Sequence, residues 1–483
     1  MFDIFFTVWP YLLGLAHFVV MIFATAHVVL TKRDNRAAIG WAGIIVLTPF
    51  LGSILYFMFG VNRLHRRARR LLRAQGRAKG SRGLAQCPSE AVQQALGRER
   101  SHMAPLADFV GRLTGQPLMD GNAITPLASG DEAYRQMLAA IDGAEKTVSL
   151  ATYIFDNDAA GKMFVDALAR AVGRGVEVRV LIDDVGTRYT WPSIKGKLRE
   201  ASIPFDTFLP TLIPWKLHYS NLRSHRKILV IDGRTGFTGG MNIRQGTMES
   251  NCGRHPLCDL HFRVAGPVVA HLQETFVLDW EFCTGEKIEG EAWFPCLSPQ
   301  GSVLARGIAD GPDLDFDKIR LTIHCGIDCA HRSINIVTPY FLPDQTLIVA
   351  LTVAAMRGVE VNILIPEINN QKLVQWACMA QLWQVLQRGC KVWLTPPPFD
   401  HTKIMLVDDV WSMIGSANWD PRSLRLNFEF NLECYDLQLA SQLHKLVQTK
   451  RQRARQITLA DVDGRPLAIR LRDGVARLAT PYL

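Results

Sequence analysis

The stretch His225-Arg226-Lys227-Ile228-Leu229-Val230-Ile231-Asp232, continued by Gly239-Gly240-Met241-Asn242, decides how this chain is read. It returns 176 residues later (401 − 225) as His401-Thr402-Lys403-Ile404-Met405-Leu406-Val407-Asp408, followed by Gly415-Ser416-Ala417-Asn418. Both copies fit H-x-K-x4-D-x6-G-[GS]-x-N. Side chains alternate along a strand, so the histidine and lysine at i and i+2 share one face. An imidazole beside a fixed ammonium suits a phosphate. The lysine offsets charge on the non-bridging oxygens, and the imidazole can attack phosphorus or carry a proton. Asn242 and Asn418, each after a glycine turn, are placed to donate to the same phosphate. By the same alternation Asp232 and Asp408 fall on the face opposite their histidines, which predicts that they brace the fold rather than touch substrate. A lone His-x-Lys is commonplace on a surface; two with the same sequel, inside a repeat, are not.

The repeat extends outward from the motif. Upstream of the first copy lies Val148-Ser149-Leu150-Ala151-Thr152-Tyr153, then Phe155; its echo is the run from Ile334 to Phe341. Each is followed by a helical stretch ending in Arg-Gly-Val-Glu-Val, at 174–178 and 357–361, which runs into an apolar strand. Helix, glycine, buried strand is the pattern of a β-α-β unit. The copies are offset by 183 residues at this step (357 − 174) and by 176 at the histidines, a loop-sized difference. Two α/β domains of one fold are expected.

Two apolar runs precede the repeat, at 5–30 and 37–62. Each exceeds the roughly 20 residues that cross a hydrocarbon core as a helix. Ala24-Thr25-Ala26 resembles a cleavage site, but a signal peptide begins with a basic residue and this chain begins Met-Phe-Asp-Ile. A two-helix transmembrane hairpin is expected instead. Its connector carries Lys32, Arg33 and Arg36 against Asp34, and the heavier run from Arg63 to Arg82 follows the second segment. That balance predicts a cytoplasmic location for everything downstream, with the arginines against anionic headgroups. The expected division is 1–62 hairpin, 63–125 basic juxtamembrane linker, 126–310 first domain and 311–483 second domain. The formal charge of +9 likewise points to anionic partners. The ten cysteines are dispersed without a C-x-x-C pair, which fits a reducing compartment better than a disulfide scaffold. The densest group, His324, Cys325, Cys329 and His331, has spacing that a helix produces without a metal, and no metal is expected.

These residues resemble the phospholipase D superfamily, over nearly the whole chain after the apolar runs. Within it the chain is similar to bacterial cardiolipin synthases, through Leu181-Ile182-Asp183-Asp184-Val185-Gly186, Asn221-Leu222-Arg223-Ser224-His225, the run from Thr338 to Asp344, and Arg422-Ser423-Leu424 with Asn427-Phe428-Glu429. The resemblance implies an α/β fold of two repeated phospholipase-D-like domains packed around one active site. It implies His225 as nucleophile, His401 as general acid and base, Lys227, Lys403, Asn242 and Asn418 holding phosphate, and Asp232 and Asp408 completing the catalytic motifs. Glu429 matches the carboxylate that orients the second histidine. The first half has Gly253 at that offset (225 + 28), so Asp259 is the expected stand-in, although Leu257 and Cys258 stand where the family usually has a tryptophan. The implied reaction moves a phosphatidyl group from one phosphatidylglycerol to another, giving cardiolipin and glycerol without a cofactor, in a bacterial inner membrane. Alternatives are a hydrolytic phospholipase D, a nuclease, or a scaffold with silent motifs. The apolar runs argue against nucleic acid, the intact motifs argue against a scaffold, and the oligomeric state stays open.

Overall fold

The computed structural model describes residues 2–32, 35–60, 89–210, 222–251, 253, 256–311 and 317–480. The basic run from Arg63 to Arg82 lies outside them. The chain divides into an N-terminal unit and a body that carries both motif copies.

In the N-terminal unit Phe2–Thr31 is one continuous 30-residue helix. At about 1.5 Å per residue it is long enough to cross a bilayer core. The second apolar run differs from the expected span. It forms a helix at Asn35–Leu47, breaks at Thr48, and resumes as Pro49–Leu55 and a single π-turn at Tyr56–Gly60. Pro49 lacks the N–H that would continue the first segment and instead starts the next. The chain turns back there, so that Gly52 lies against the Ile44 carbonyl with no room for a side chain. Tyr56 is fully buried with Ala24, Val28 and Ile45, and its hydroxyl lies 2.8 Å from His27 Nδ1 and 3.2 Å from Thr31 Oγ1.

In the body the strands are β1 (Met119–Leu127), β2 (Thr147–Thr152), β3 (Glu177–Asp183), β4 (Phe205–Phe208), β5 (Ile228–Ile231), β6 (Thr235–Gly239), β7 (Leu257–Cys258) and β8 (His261–Ala265). They continue with β9 (Val303–Asp310), β10 (Ser333–Val337), β11 (Glu360–Pro366), β12 (Lys391–Thr395), β13 (Phe399–Asp400), β14 (Ile404–Val407), β15 (Trp411–Gly415), β16 (Glu429–Tyr435) and β17 (Arg455–Ile457). Among the described residues, fifteen make one sheet in the order β17-β12-β11-β10-β14-β15-β16-β9-β1-β8-β6-β5-β2-β3-β4. Without β17 the order is a palindrome: β10, β11, β12, β14, β15, β16 and β9 repeat β2, β3, β4, β5, β6, β8 and β1. The halves meet where β1 pairs with β9. A pseudo-two-fold axis therefore relates the copies of the motif.

The parallel strands β2 and β3, and β10 and β11, are nearly continuous apolar runs because both sheet faces are covered. Their crossover helices, Ala159–Gly173 and Gln345–Met356, are capped by Asp158 and Asp344. The arginine of each Arg-Gly-Val-Glu-Val copy has one job in both halves. Arg174 donates to the Ile141 and Ala144 carbonyls, and Arg357 to those of Ile327, Asp328 and Ala330, satisfying the end of the preceding helix.

Two expected boundaries move. Residues 89–125 are not a linker: helices Ser89–Leu96 and Ala104–Thr114 bury Val92, Leu96, Leu106 and Val110 in the second half's core, and β1 enters the sheet. The buried Arg306 on β9 fixes the second of these helices, donating to the Ala107 carbonyl at 3.0 Å while lying 3.3 Å from Glu433. The second half also begins earlier than residue 311, because β9 precedes β10 as β1 precedes β2.

Candidate active site

The two histidines meet on the pseudo-two-fold axis, with ring centroids 6.5 Å apart and planes at 84°. Each stands just before the inner strand of its half, held by the other half's backbone. His225 N–H donates to the Phe428 carbonyl at 2.8 Å, and His401 N–H to the Cys258 carbonyl at 2.7 Å beside the β13–β7 pairing. The residues that follow those carbonyls are Glu429 and Asp259.

The carboxylates are consequently exchanged between halves. Glu429 lies 3.0 and 3.1 Å from His225 Nδ1, while Asp259 lies 2.6 Å from His401 Nδ1. This corrects the expected partnership of Glu429 with His401 and of Asp259 with His225. The two carboxylates are also orienting groups beneath the site rather than general substrate ligands: Glu429 is fully buried and Asp259 nearly so. Spacing along one half cannot reveal a contact that exists only once the halves pack. A carboxylate only accepts, so both Nδ1 atoms carry the proton and both Nε2 atoms are left for chemistry.

The variable position of the G-[GS] pair is matched to its carboxylate. A side chain at Gly240 would collide with the Asp259 carboxylate. In the second half Ser416 stands there instead, and its Oγ donates to Glu429 Oε2 at 2.5 Å. The preceding Gly239 and Gly415 have φ of 148° and 151°, a conformation that favours glycine.

Lys227 and Lys403 sit one layer below the cavity rather than lining it. Each Nζ donates to the carbonyl of its own histidine, at 2.6 Å for Lys227. They were expected to hold phosphate directly; here they supply charge from beneath. Burial pushes Lys227 down to about 7 and Lys403 down to about 8, against the opposing pull of Glu429 and Asp259. Burial also lowers His225, and lowers His401 to about 4 with help from Lys403. Burial raises both carboxylates, but Lys403 and His401 hold Asp259, and His225 and Lys227 hold Glu429, below the usual range. The site at rest thus pairs two neutral imidazoles with two carboxylates and two weakened ammoniums.

Asn242 and Asn418 line the cavity. Asn242 Oδ1 accepts from Ile154 N–H at 3.0 Å, and Asn418 Nδ2 donates to Ser423 Oγ at 3.2 Å. Asp232 and Asp408 do not join the group, so their listing with the catalytic motif residues is corrected. They occupy the turns at the far ends of β5 and β14, with φ of 50° and 54°. Asp232 accepts the amides of Glu145, Lys146 and Thr147, and Asp408 those of His331, Arg332 and Ser333. Each fixes the start of its half's central parallel strand.

The cavity over the histidines measures about 390 Å³, within the range of small-molecule sites. Its first-half side carries Tyr153, Arg223 and Arg244, its second-half side Tyr340, Phe399 and Arg422.

Residues 137–280 and 323–450 match the family described as cardiolipin synthase, PLD-like domain, and residues 19–60 match the phospholipase D-nuclease N-terminal family. Cardiolipin synthase A of Pseudomonas entomophila (strain L48) is 32% identical over 476 residues, covering 98% of each chain. The major cardiolipin synthase of Bacillus subtilis (strain 168) is 33% identical over 479 residues, covering 97% of this chain and 98% of its own. The chain belongs to the cardiolipin synthase family. Its fold is shared by the crystal structure of phosphatidylserine synthase from Haemophilus influenzae Rd KW20, with a TM-score of 0.61 at 16% identity, covering 78% of this chain and 100% of that one.

For this cardiolipin synthase family member, several site residues had no role assigned from sequence. Asp183 accepts Ser224 N–H at 2.9 Å and lies 3.7 Å from Arg223, fixing the approach to His225. Arg226, the variable residue of the first motif, ties the halves together through the Glu429 and Asp310 carbonyls and Asp279. Both lie in quoted motifs, but their partners are remote in sequence.

Proposed function

We propose that the protein is a cardiolipin synthase that moves a phosphatidyl group between two phosphatidylglycerol molecules through a phosphohistidine on His225. The observation that carries this is the facing pair of histidines, each held at Nδ1 by the opposite half's carboxylate. His225 Nε2 attacks phosphorus while the P–O bond to glycerol breaks, and protonated His401 gives its proton to the departing oxygen. The second phosphatidylglycerol then loses its hydroxyl proton to His401 Nε2. Its oxygen bonds to phosphorus as the P–N bond breaks, restoring both histidines. The phosphodiester anion favours the imidazolium form of His401 that the empty site disfavours. Charge from Lys227 and Lys403 opposes that on the non-bridging oxygens. We assign the body to the cytosolic face of a bacterial inner membrane, because the arginines after Asn62 outnumber the basic residues of the connector.

The test is product analysis with labelled phosphatidylglycerol in vesicles. Cardiolipin and glycerol in equal amounts are expected, with label trapped on unmodified protein and not on His225→Ala. Phosphatidic acid without cardiolipin would make the protein a hydrolase; oligonucleotide cleavage with intact lipid would make it a nuclease.

A further inference from the structure

The loops that follow β3 and β11 are equivalent under the pseudo-two-fold, at 184–193 and 367–376 (offset 183), and each forms part of the cavity wall. Val185 and Tyr189 line it from the first loop, and Asn370, Gln371 and Val374 from the second. Both loops also turn apolar side chains away from the protein. Trp191 is 95% exposed, and Tyr189, Ile368 and Leu373 are each more than half exposed. Large apolar side chains scattered singly need no explanation. Here they flank one opening from two sides, on loops whose other residues are buried in the same cavity.

A third element adjoins the second loop. The helix Leu467–Leu478 packs against Lys372–Met379, with the Arg472 guanidinium 4.4 Å from the Trp376 ring. Leu467, Leu471, Val475 and Leu478 form an exposed stripe at helical spacing. The helix's one acidic residue, Asp473, is buried and paired with Arg465 and Arg472, so its exposed charges are all arginine. An apolar stripe flanked by arginines is complementary to an anionic headgroup layer.

We propose that this rim and the C-terminal helix form a docking surface for an anionic lipid bilayer, seating the cavity mouth on the headgroups. The inference rests on the lipid-transfer reading above. A cavity of about 390 Å³ takes a phosphodiester headgroup while the acyl chains stay outside, and an apolar rim continues the environment those chains leave. Trp191 suits the headgroup boundary, where an indole can be apolar on its faces and polar at its N–H.

The full chain is reconstituted in vesicles of phosphatidylglycerol and phosphatidylethanolamine with photoreactive p-benzoylphenylalanine replacing Trp191, Leu373 or, as control, Arg234 in the turn at the opposite end of β5. Lipid adducts are expected at 191 and 373 and not at 234. In parallel, Trp191→Ser combined with Leu373→Ser should lower turnover of vesicle phosphatidylglycerol at least about ten-fold, with monomeric short-chain phosphatidylglycerol affected less than about two-fold. Missing lipid adducts, adducts to a second copy of the chain, or equal losses on both substrates would overturn the docking surface. Adducts at 191 and 373 in an unmodified-activity background that yields no cardiolipin would leave the surface standing and remove the transfer reading instead.

Discussion

The exchanged carboxylates make a prediction that the motif order alone would reverse. In Glu429→Gln the side chain keeps its size and an acceptor oxygen but loses its charge. As His225 attacks phosphorus its ring becomes cationic, with the carboxylate 3.0 Å from Nδ1. At roughly 4 Å between charge centres and an effective dielectric of about 20, that interaction is worth about 4 kcal/mol. Its loss slows phosphoenzyme formation by about a thousand-fold. Asp259→Asn removes the same support from His401, and therefore from proton delivery to the leaving alcohol. The assay is single-turnover release from two donors, phosphatidylglycerol and phosphatidyl-p-nitrophenol, whose leaving group needs no proton. Asp259→Asn should be slow on the first donor and largely rescued on the second. Glu429→Gln should be slow on both. Rescue of Glu429→Gln with persistent failure of Asp259→Asn would refute the crossed pairing.

The two buried lysines set a pH limit. Their folded values are depressed, so each ammonium is lost as pH rises through about 7 for Lys227 and about 8 for Lys403. kcat/KM for the anionic lipid should fall across that window, and Lys227→Arg should move the onset upward. Asp408→Asn weakens the amide contacts at the start of β10 and should cost about 2–3 kcal/mol, seen as a lower urea midpoint with the folded fraction still forming phosphoenzyme. Gly240→Ala displaces the Asp259 carboxylate and, for a shift of about 1 Å, should lower transfer on the order of 100-fold, with the loss again rescued by the p-nitrophenol donor.

Much of this molecule is legible in its sequence because the information is local and doubled. The alternation within His225–Asp232 separates catalytic from bracing residues before any coordinates are seen, and the repeated Arg174 and Arg357 mark equivalent helix ends. What escapes depends on packing between distant segments. Glu429 lies 28 residues after His401 in sequence but 3.0 Å from His225 in space. Segment 89–125 reads as an extension of the basic run, yet its apolar spacing at Val92, Leu96, Leu106 and Val110 carried the signal of packed helices. Pro49 likewise announced the break in the second apolar run, but composition without attention to proline suggested a continuous span. The lysines escaped for a different reason: strand alternation gives the face of a side chain and not how deeply it lies beneath that face.

The crossed pairing also bears on when the protein becomes active as it is made. A chain that folds as it leaves the ribosome completes its first half early, presenting His225 and Lys227 on a finished β5. That histidine has neither the carboxylate that orients it nor its proton-carrying counterpart until β16 joins the sheet. The nucleophile is therefore held silent through synthesis, and competence arrives with one of the last strands to be laid down.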